Sequence, residues 1–132
     1  MTLNAFLKVS IVAGVCAAFA GISQAAERPL TSNQIRAWLT DATAFSTGDG
    51  PAWAQYFDAD GSTPYWAKGS DESIGHWSVR QNQYCSRWPP NNEWTCYVMT
   101  GEETVEGRTI TFVSPSGHKS PARLVPGRQK VE

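Results

Sequence analysis

The stretch "YCSRWPPNNEWTC", from Tyr84 to Cys96, decides how the middle of this chain folds. Its flanks are rich in aromatic and β-branched residues, which favours strands, and "PPNN" between them is typical of a loop. Pairing Trp88 with Glu93 across that loop brings Cys85 opposite Cys96. Directly opposed residues at a non-hydrogen-bonded antiparallel site have Cα atoms about 4.5 Å apart, which a disulfide can bridge. The sequence therefore predicts a β-hairpin closed by a disulfide.

Two other roles for these cysteines are less well supported. A zinc site needs about four ligands, usually in close pairs, and His76 and His118 show no paired spacing. A redox pair is more often C-x-x-C beside a strand–helix unit, and neither feature is present. We therefore predict a structural disulfide between Cys85 and Cys96, with no metal site, no cofactor and no assigned catalytic residue.

The first residues follow the plan of a secretory signal peptide. One positive charge, Lys8, precedes an apolar run from Val9 to Ile22, and small residues follow it. We predict that residues 1–25 are the signal peptide, with a cut after Ala26 as the alternative. A retained membrane anchor fits less well because spanning a bilayer takes about 20 apolar residues. Lipidation at Cys16 also fits poorly, because that cysteine lies inside the apolar run.

The rest of the chain, residues 26–132, is predicted to be a single β-rich domain with a frayed tail at 126–132. The formal net charge of −1 and the lack of a basic block argue against nucleic acid as a partner. No cationic amphipathic segment offers a stable membrane anchor after signal cleavage. Two remaining cysteines suit an oxidising compartment, so we expect a periplasmic or secreted protein.

One short helix is predicted before the strands, in "LTSNQIRAWLTDA". Thr31 and Gln34 have the spacing of a capping box. Apolar residues then recur at helical spacing, which predicts packing onto the protein's own sheet rather than onto a partner. This stripe consists of Ile35, Trp38, Leu39 and Ala42.

From Thr43 onward, short aromatic and β-branched runs alternate with turn residues. Seven or eight such runs predict a mainly β fold, a small antiparallel meander that forms either a sandwich or a barrel, with a lipocalin-like half barrel as one form. Pro64 falls inside one run, which suggests an edge strand or a bulge.

The hairpin registers divide the central strands into two faces. The face expected to point inward carries Gly75, Trp77, Val79, Tyr84, Ser86, Trp88, Thr95, Tyr97 and Met99. The other face, which the N-terminal helix could cover, carries Ile74, His76, Cys85, Arg87, Trp94, Cys96 and Val98.

Candidates for chemistry are few. Asp58 and Asp60 precede a turn glycine, Gly61, and hairpin-turn chemistry explains them better than calcium binding. Trp and Tyr side chains often line ligand sites, and Arg87 can either stack on Trp94 or hold a ligand carboxylate. The predicted ligand-binding residues are Trp77, Trp88, Trp94, Tyr97, Arg87 and His76.

The motifs "YFDADG", "GHWSV" and "CSRW", followed by a later cysteine, occur here in that order. In these motifs the chain resembles an uncharacterised family of small secreted proteins of alpha-proteobacteria, including rhizobia, a domain of unknown function. The resemblance covers roughly residues 35–113. It implies export and a compact domain, and it brings no activity or catalytic residues.

Three classes of function remain at this stage. The preferred one is an exported, non-enzymatic binding module for a small ligand, a glycan or an envelope protein. The second is a structural or inhibitory protein of the cell envelope that acts through the Trp-Pro hairpin loop. An enzyme is the least favoured. An open barrel interior would support the first class, and a filled interior the second.

The signal-peptide prediction can be tested directly. N-terminal sequencing of exported protein should find that the mature chain begins at Ala26 or Glu27, because small residues precede both positions. An exported protein that still begins at Met1 would contradict it.

Overall fold

A computed structural model describes residues 28–130, so the predicted signal peptide lies outside the described residues. One helix and nine strands follow one another along this part of the chain. Their bounds are β1 Arg28–Pro29, α1 Ser32–Leu39, β2 Ala42–Ser46, β3 Trp53–Phe57, β4 Ser62–Ala67, β5 Ser73–Arg80, β6 Gln83–Arg87, β7 Thr95–Thr104, β8 Gly107–Val113 and β9 Lys119–Pro126.

Strands β2 to β9 form a closed, eight-stranded antiparallel barrel. Each strand pairs with the next along the chain, and β9 returns to pair with β2 over Ala42–Ser46. The short strand β1 adds to β7 beyond the end of β6. The prediction of a mainly β antiparallel meander is confirmed, and of its two forms the barrel is the one observed. Closure matters because it leaves the eight strands without an exposed edge.

The predicted hairpin register is confirmed. Cys85 pairs with Cys96 across β6 and β7, and the two sulfur atoms are bonded. Trp77 pairs with Ser86, and Tyr84 pairs with Tyr97, with these side chains on the inward face.

The helix begins as its sequence predicts. The hydroxyl of Thr31 accepts a hydrogen bond from the backbone N–H of Gln34, whose side chain accepts one from the N–H of Thr31. Ile35 and Leu39 are fully buried, and they pack among inward-facing side chains. The helix therefore fills one end of the barrel. It does not cover the disulfide face, because its apolar side points into the barrel interior.

The core is largest near the helix and is mostly aliphatic there. Its buried members are Leu30, Ile35, Leu39, Ala44, Phe57, Val79, Tyr84, Met99, Ile110, Phe112 and Ala122. Gly101 allows the close approach of α1, since a Cβ at this position would lie 2.7 Å from the Trp38 ring.

Residues 127–129 are attached to the barrel, whereas the sequence predicted fraying from residue 126 onward. Gly127 N–H donates to the Asp41 carbonyl, and the Thr43 hydroxyl donates to the Gly127 carbonyl. Arg128 lies over the outward-facing ring of Trp66. These contacts hold residues 127–129, because the buried hydroxyl of Thr43 on β2 takes its hydrogen-bond partners from Gly127 and Gln129.

Two features of the strands differ from expectation. Strand β2 was not predicted, because its inward residues, Ala42 and Ala44, are too small to give a clear alternating pattern. Pro64 does not mark an edge strand, since β4 has neighbours on both sides. Proline has no backbone N–H to donate. Pro64 directly precedes Tyr65, the residue at which the pairing of β4 with β3 ends, so the ladder loses no hydrogen bond at this position.

Within residues 28–130, no helix has the length and apolar character needed to cross a membrane.

Replacing both cysteines with alanine should lower the free energy of unfolding by about 3 kcal/mol, because the cross-link limits the unfolded chain. Denaturant unfolding of the Cys85→Ala/Cys96→Ala variant measures this loss. The matched control is Ser78→Ala, which changes the residue opposite Cys85 and leaves the cross-link in place. A double variant as stable as the wild type would contradict the prediction.

Candidate functional site

The end of the barrel away from the helix opens into a cavity of about 570 Å³. Small-molecule sites usually measure about 300–1,000 Å³. The cavity is lined by Trp53, Gln55, Tyr65, Ser73, Ile74, Tyr84, Ser86, Trp88, Pro89, Tyr97, Phe112 and Ser120. The barrel is therefore filled at one end and open at the other. Serines on β5, β6 and β9 help to leave this space, because they carry small side chains where the helix end carries aliphatic ones.

Aromatic rings form one wall of the cavity. Trp53 and Tyr65 stack with centroids 5.9 Å apart, and Trp88 meets the edge of Tyr65 at 5.8 Å. The ring of Trp88 lies directly against Gly75, where a Cβ would be only 2.6 Å from the ring. Trp88 also donates a hydrogen bond from Nε1 to the hydroxyl of Ser86. These contacts restrict the ring to one position, so the wall is formed before any ligand arrives.

Further rings form the floor of the cavity. Tyr84 is almost completely buried, with Phe112 at 5.0 Å, Phe57 at 5.7 Å and Tyr97 at 5.9 Å between centroids. Such mixed edge and tilted contacts are the arrangements that aromatic side chains prefer. The floor is consequently rigid as well as apolar.

A buried polar group crosses this floor. Gln55 donates from Nε2 to the hydroxyl of Thr63 at 3.0 Å and to the hydroxyl of Tyr84 at 2.7 Å. Burial raises the pKa of the Tyr84 hydroxyl far above its usual value, and hydrogen bonds with Ser86 and Gln55 offset only part of this effect. Tyr84 is therefore neutral at physiological pH.

No lining residue carries a charge at neutral pH: the lining contains no Asp, Glu, His, Lys, Arg or Cys. Across residues 28–130, no group of three or more His, Cys, Asp or Glu side chains could hold a metal ion. The arrangement suits an uncharged molecule, since an ion would lose its hydration without gaining a counter-charge.

The residues predicted to bind a ligand do not form one site. Trp88 and Tyr97 line the cavity. Trp77 faces inward but lies against Phe57, below the cavity, and its Nε1 donates to the Asp58 carbonyl at 2.8 Å.

The other three predicted residues lie on the outer surface. The ring of Trp94 is flanked by the guanidinium groups of Arg80 at 4.6 Å and Arg87 at 5.3 Å. His76 is exposed and pairs across the strands with Arg87. The cation–π contact predicted for Arg87 is present, and a second arginine shares it.

Sequence reasoning missed several residues of the cavity, above all Trp53, Gln55 and Tyr65. A signal for Gln55 was available in "AWAQYF", where it stands between Trp53 and Phe57 on the same face of a strand. A polar residue between two inward-facing rings suggests a buried polar group. The lining residues on β8 and β9, Phe112 and Ser120, could not be predicted in this way, because they reach the cavity only when β9 pairs with β2 and closes the barrel.

The paired aspartates serve the turn between β3 and β4, as predicted. Asp58 accepts a hydrogen bond from the N–H of Asp60, which in turn accepts one from Ser62. The hydrogen bonds from Ser62 lower the pKa of the Asp60 carboxyl.

The chain matches no protein-family model, no curated protein and no solved structure.

The two tryptophans of the hairpin should respond differently to truncation. Trp88→Ala should cost about 3 kcal/mol, at the low end for buried aromatic rings because Trp88 is only partly buried. Trp94→Ala should cost about 1 kcal/mol, because its ring lies on the outer face, where cation–π contacts such as those with Arg80 and Arg87 are worth about 0.5–1 kcal/mol. Denaturant unfolding of both variants measures the difference. A larger loss for Trp94→Ala than for Trp88→Ala would show that the inward and outward faces are reversed.

Proposed function

We propose that this protein is a non-enzymatic binding module that holds a small, uncharged, ring-containing ligand in the open end of its barrel. The observation that carries the proposal is a preformed aromatic cavity of about 570 Å³ without a charged side chain. Concave, mainly apolar sites with a few placed polar groups are the usual form of small-molecule sites.

The energetics favour a flat or ring-shaped molecule. Rings of aromatic compounds and the apolar faces of sugars both stack on Trp and Tyr side chains. A ligand that buries about 200 Å² of apolar surface gains about 5 kcal/mol from the hydrophobic effect. Trp88 is already held by Gly75 and Ser86, so little side-chain entropy is lost on binding.

Binding is better supported than turnover. General acid–base catalysis needs a group that titrates near the working pH. The titratable side chains of the cavity lining are tyrosines, and burial raises the pKa of both Tyr65 and Tyr84. Neither of these two tyrosines is therefore poised to exchange a proton near neutral pH.

The proposal includes export to the periplasm or the cell exterior. Two observations support it: the signal-like N-terminal sequence and the Cys85–Cys96 disulfide, a bond that persists mainly in oxidising compartments. Membership of the secreted alpha-proteobacterial family that the motifs resemble stays part of this proposal.

The alternative, an envelope inhibitor acting through the hairpin loop, has less support. Trp88 and Pro89 line the cavity instead of extending away from the barrel. The exposed part of the loop, Pro89 to Glu93, is what remains for a protein partner.

The test uses two fluorescent probes with nearly the same ring system. N-phenyl-1-naphthylamine is uncharged, and 8-anilinonaphthalene-1-sulfonate carries a negative charge. We expect saturable fluorescence enhancement with the uncharged probe at micromolar concentrations, and at least about tenfold weaker binding of the sulfonate, which finds no counter-charge.

One variant and one control test whether the uncharged probe binds inside the cavity. Ser120→Trp should abolish binding of the uncharged probe, because the new ring occupies the cavity. Trp94→Ala, on the outer face, should leave binding unchanged. Circular dichroism confirms that both variants fold. Absence of saturable enhancement in the wild type, or equal binding in folded Ser120→Trp, would refute the proposed function.

A further inference from the structure

The polar group on the cavity floor has a fixed hydrogen-bond direction. The Thr63 hydroxyl donates its hydrogen to the Tyr56 carbonyl at 2.7 Å, and a carbonyl oxygen can only accept. Thr63 Oγ1 can therefore only accept from Gln55. This requirement turns the nitrogen of the Gln55 amide toward Thr63 and leaves its oxygen, Oε1, on the other side.

Both hydrogens of Gln55 Nε2 are used within the protein. One goes to Thr63 and the second to Tyr84 Oη at 2.7 Å. Gln55 Oε1 accepts no hydrogen bond from any residue in the range 28–130. Gln55 lines the cavity, and its unpaired Oε1 is not enclosed by protein atoms, so this acceptor is accessible from the space that a ligand would fill.

The same floor has a surplus donor. Tyr84 and Ser86 lie beside each other on β6 and carry two hydroxyl hydrogens, while Ser86 Oγ already accepts from Trp88 Nε1. One hydroxyl hydrogen can join Tyr84 to Ser86. Whichever residue donates it, the other hydrogen has no acceptor within residues 28–130.

One surplus donor and one surplus acceptor thus lie close together. Gln55 Oε1 belongs to the same amide whose nitrogen is 2.7 Å from Tyr84 Oη, so one ligand atom can reach both. A hydroxyl is the simple uncharged group that both accepts and donates a hydrogen bond. A carboxylate would face Gln55 Oε1 without a cation, and an ammonium would leave the hydroxyl hydrogen without an acceptor.

From this pairing, and resting on the proposed function, we infer that the ligand is an uncharged ring alcohol whose hydroxyl binds Tyr84 and Gln55 at the cavity floor. Its ring lies between this floor and the wall formed by Trp53, Tyr65 and Trp88. Either an aromatic or an alicyclic alcohol meets this description. Tyr84 donates to the ligand oxygen, and the ligand hydroxyl donates to Gln55 Oε1.

Three naphthalene probes test the inference by calorimetry or by displacement of N-phenyl-1-naphthylamine. At neutral pH 2-naphthol can donate and accept, 2-methoxynaphthalene can only accept, and naphthalene can do neither. We expect 2-naphthol to bind about tenfold more tightly than the other two, the usual effect of satisfying buried polar groups.

Variants of the floor residues test whether they cause the tighter binding of 2-naphthol. Tyr84→Phe should reduce the preference for 2-naphthol to about twofold or less, without weakening naphthalene. Tyr97→Phe is the matched control, because it removes a hydroxyl from a neighbouring lining ring outside the hydrogen-bond chain and should keep the preference. If Tyr84→Phe fails to fold, Gln55→Met replaces it, and it should lose the preference as well.

The outcomes separate this inference from the proposed function. Equal binding of 2-naphthol and naphthalene to the wild type would overturn the inference while the binding site stands. A preference that survives in Tyr84→Phe would also overturn it. If neither the naphthalenes nor N-phenyl-1-naphthylamine binds, the inference and the proposed function fail together.

Discussion

The pairing of β2 with β9 is the constraint on which the rest of this structure depends. It joins residues 42–46 to residues 122–126, nearly the full length of the described chain apart. Without it, the meander would be an open sheet with two edges and no enclosed interior. With it, alternate side chains of every strand face a common space, and the outcome depends on which side chains fill that space at each end.

Closure also fixes the position of the helix and of the last residues. Helix α1 leads into β2 through Thr40 and Asp41, so it has to lie at the end of the barrel where β2 begins. The segment after β9 leaves the barrel at the same place, and Gly127 bonds to the Asp41 carbonyl there. Helix and tail are thus held by the same strand pair that closes the barrel.

The two ends of the interior differ because their inward side chains differ. Near the helix, Ile35, Leu39 and Met99 interdigitate and exclude water. At the other end, large rings alternate with serines, and rings held apart by small residues cannot close the space between them. The cavity is therefore a result of the shapes and volumes of these side chains, and under the proposed function its few polar groups would select the ligand.

Local features of this fold could be read from the sequence, whereas long-range ones could not. The capping box at Thr31 and the opposed cysteines of the hairpin are local patterns with one good geometric solution. Strand β2 was missed because alanines give no alternating signal, and the choice between barrel and sandwich depends on a pairing between distant segments.

The candidate site illustrates the same limit. Trp88 and Tyr97 were found because they lie in the well-predicted hairpin. Trp53, Tyr65 and Ser120 reach the cavity only through closure, so a list made from one hairpin could not include them. The same list joined Trp88 with Trp94, although one residue of offset between the strands places them on opposite sides of the barrel wall.

The helix that fills one end of the barrel restricts how a ligand could enter and leave the cavity. A barrel closed at one end has its opening at the other. A ligand bound there would therefore leave along the path by which it entered, past the rings of Trp53 and Trp88. Under the proposed function, uptake and release of the ligand would therefore share one path.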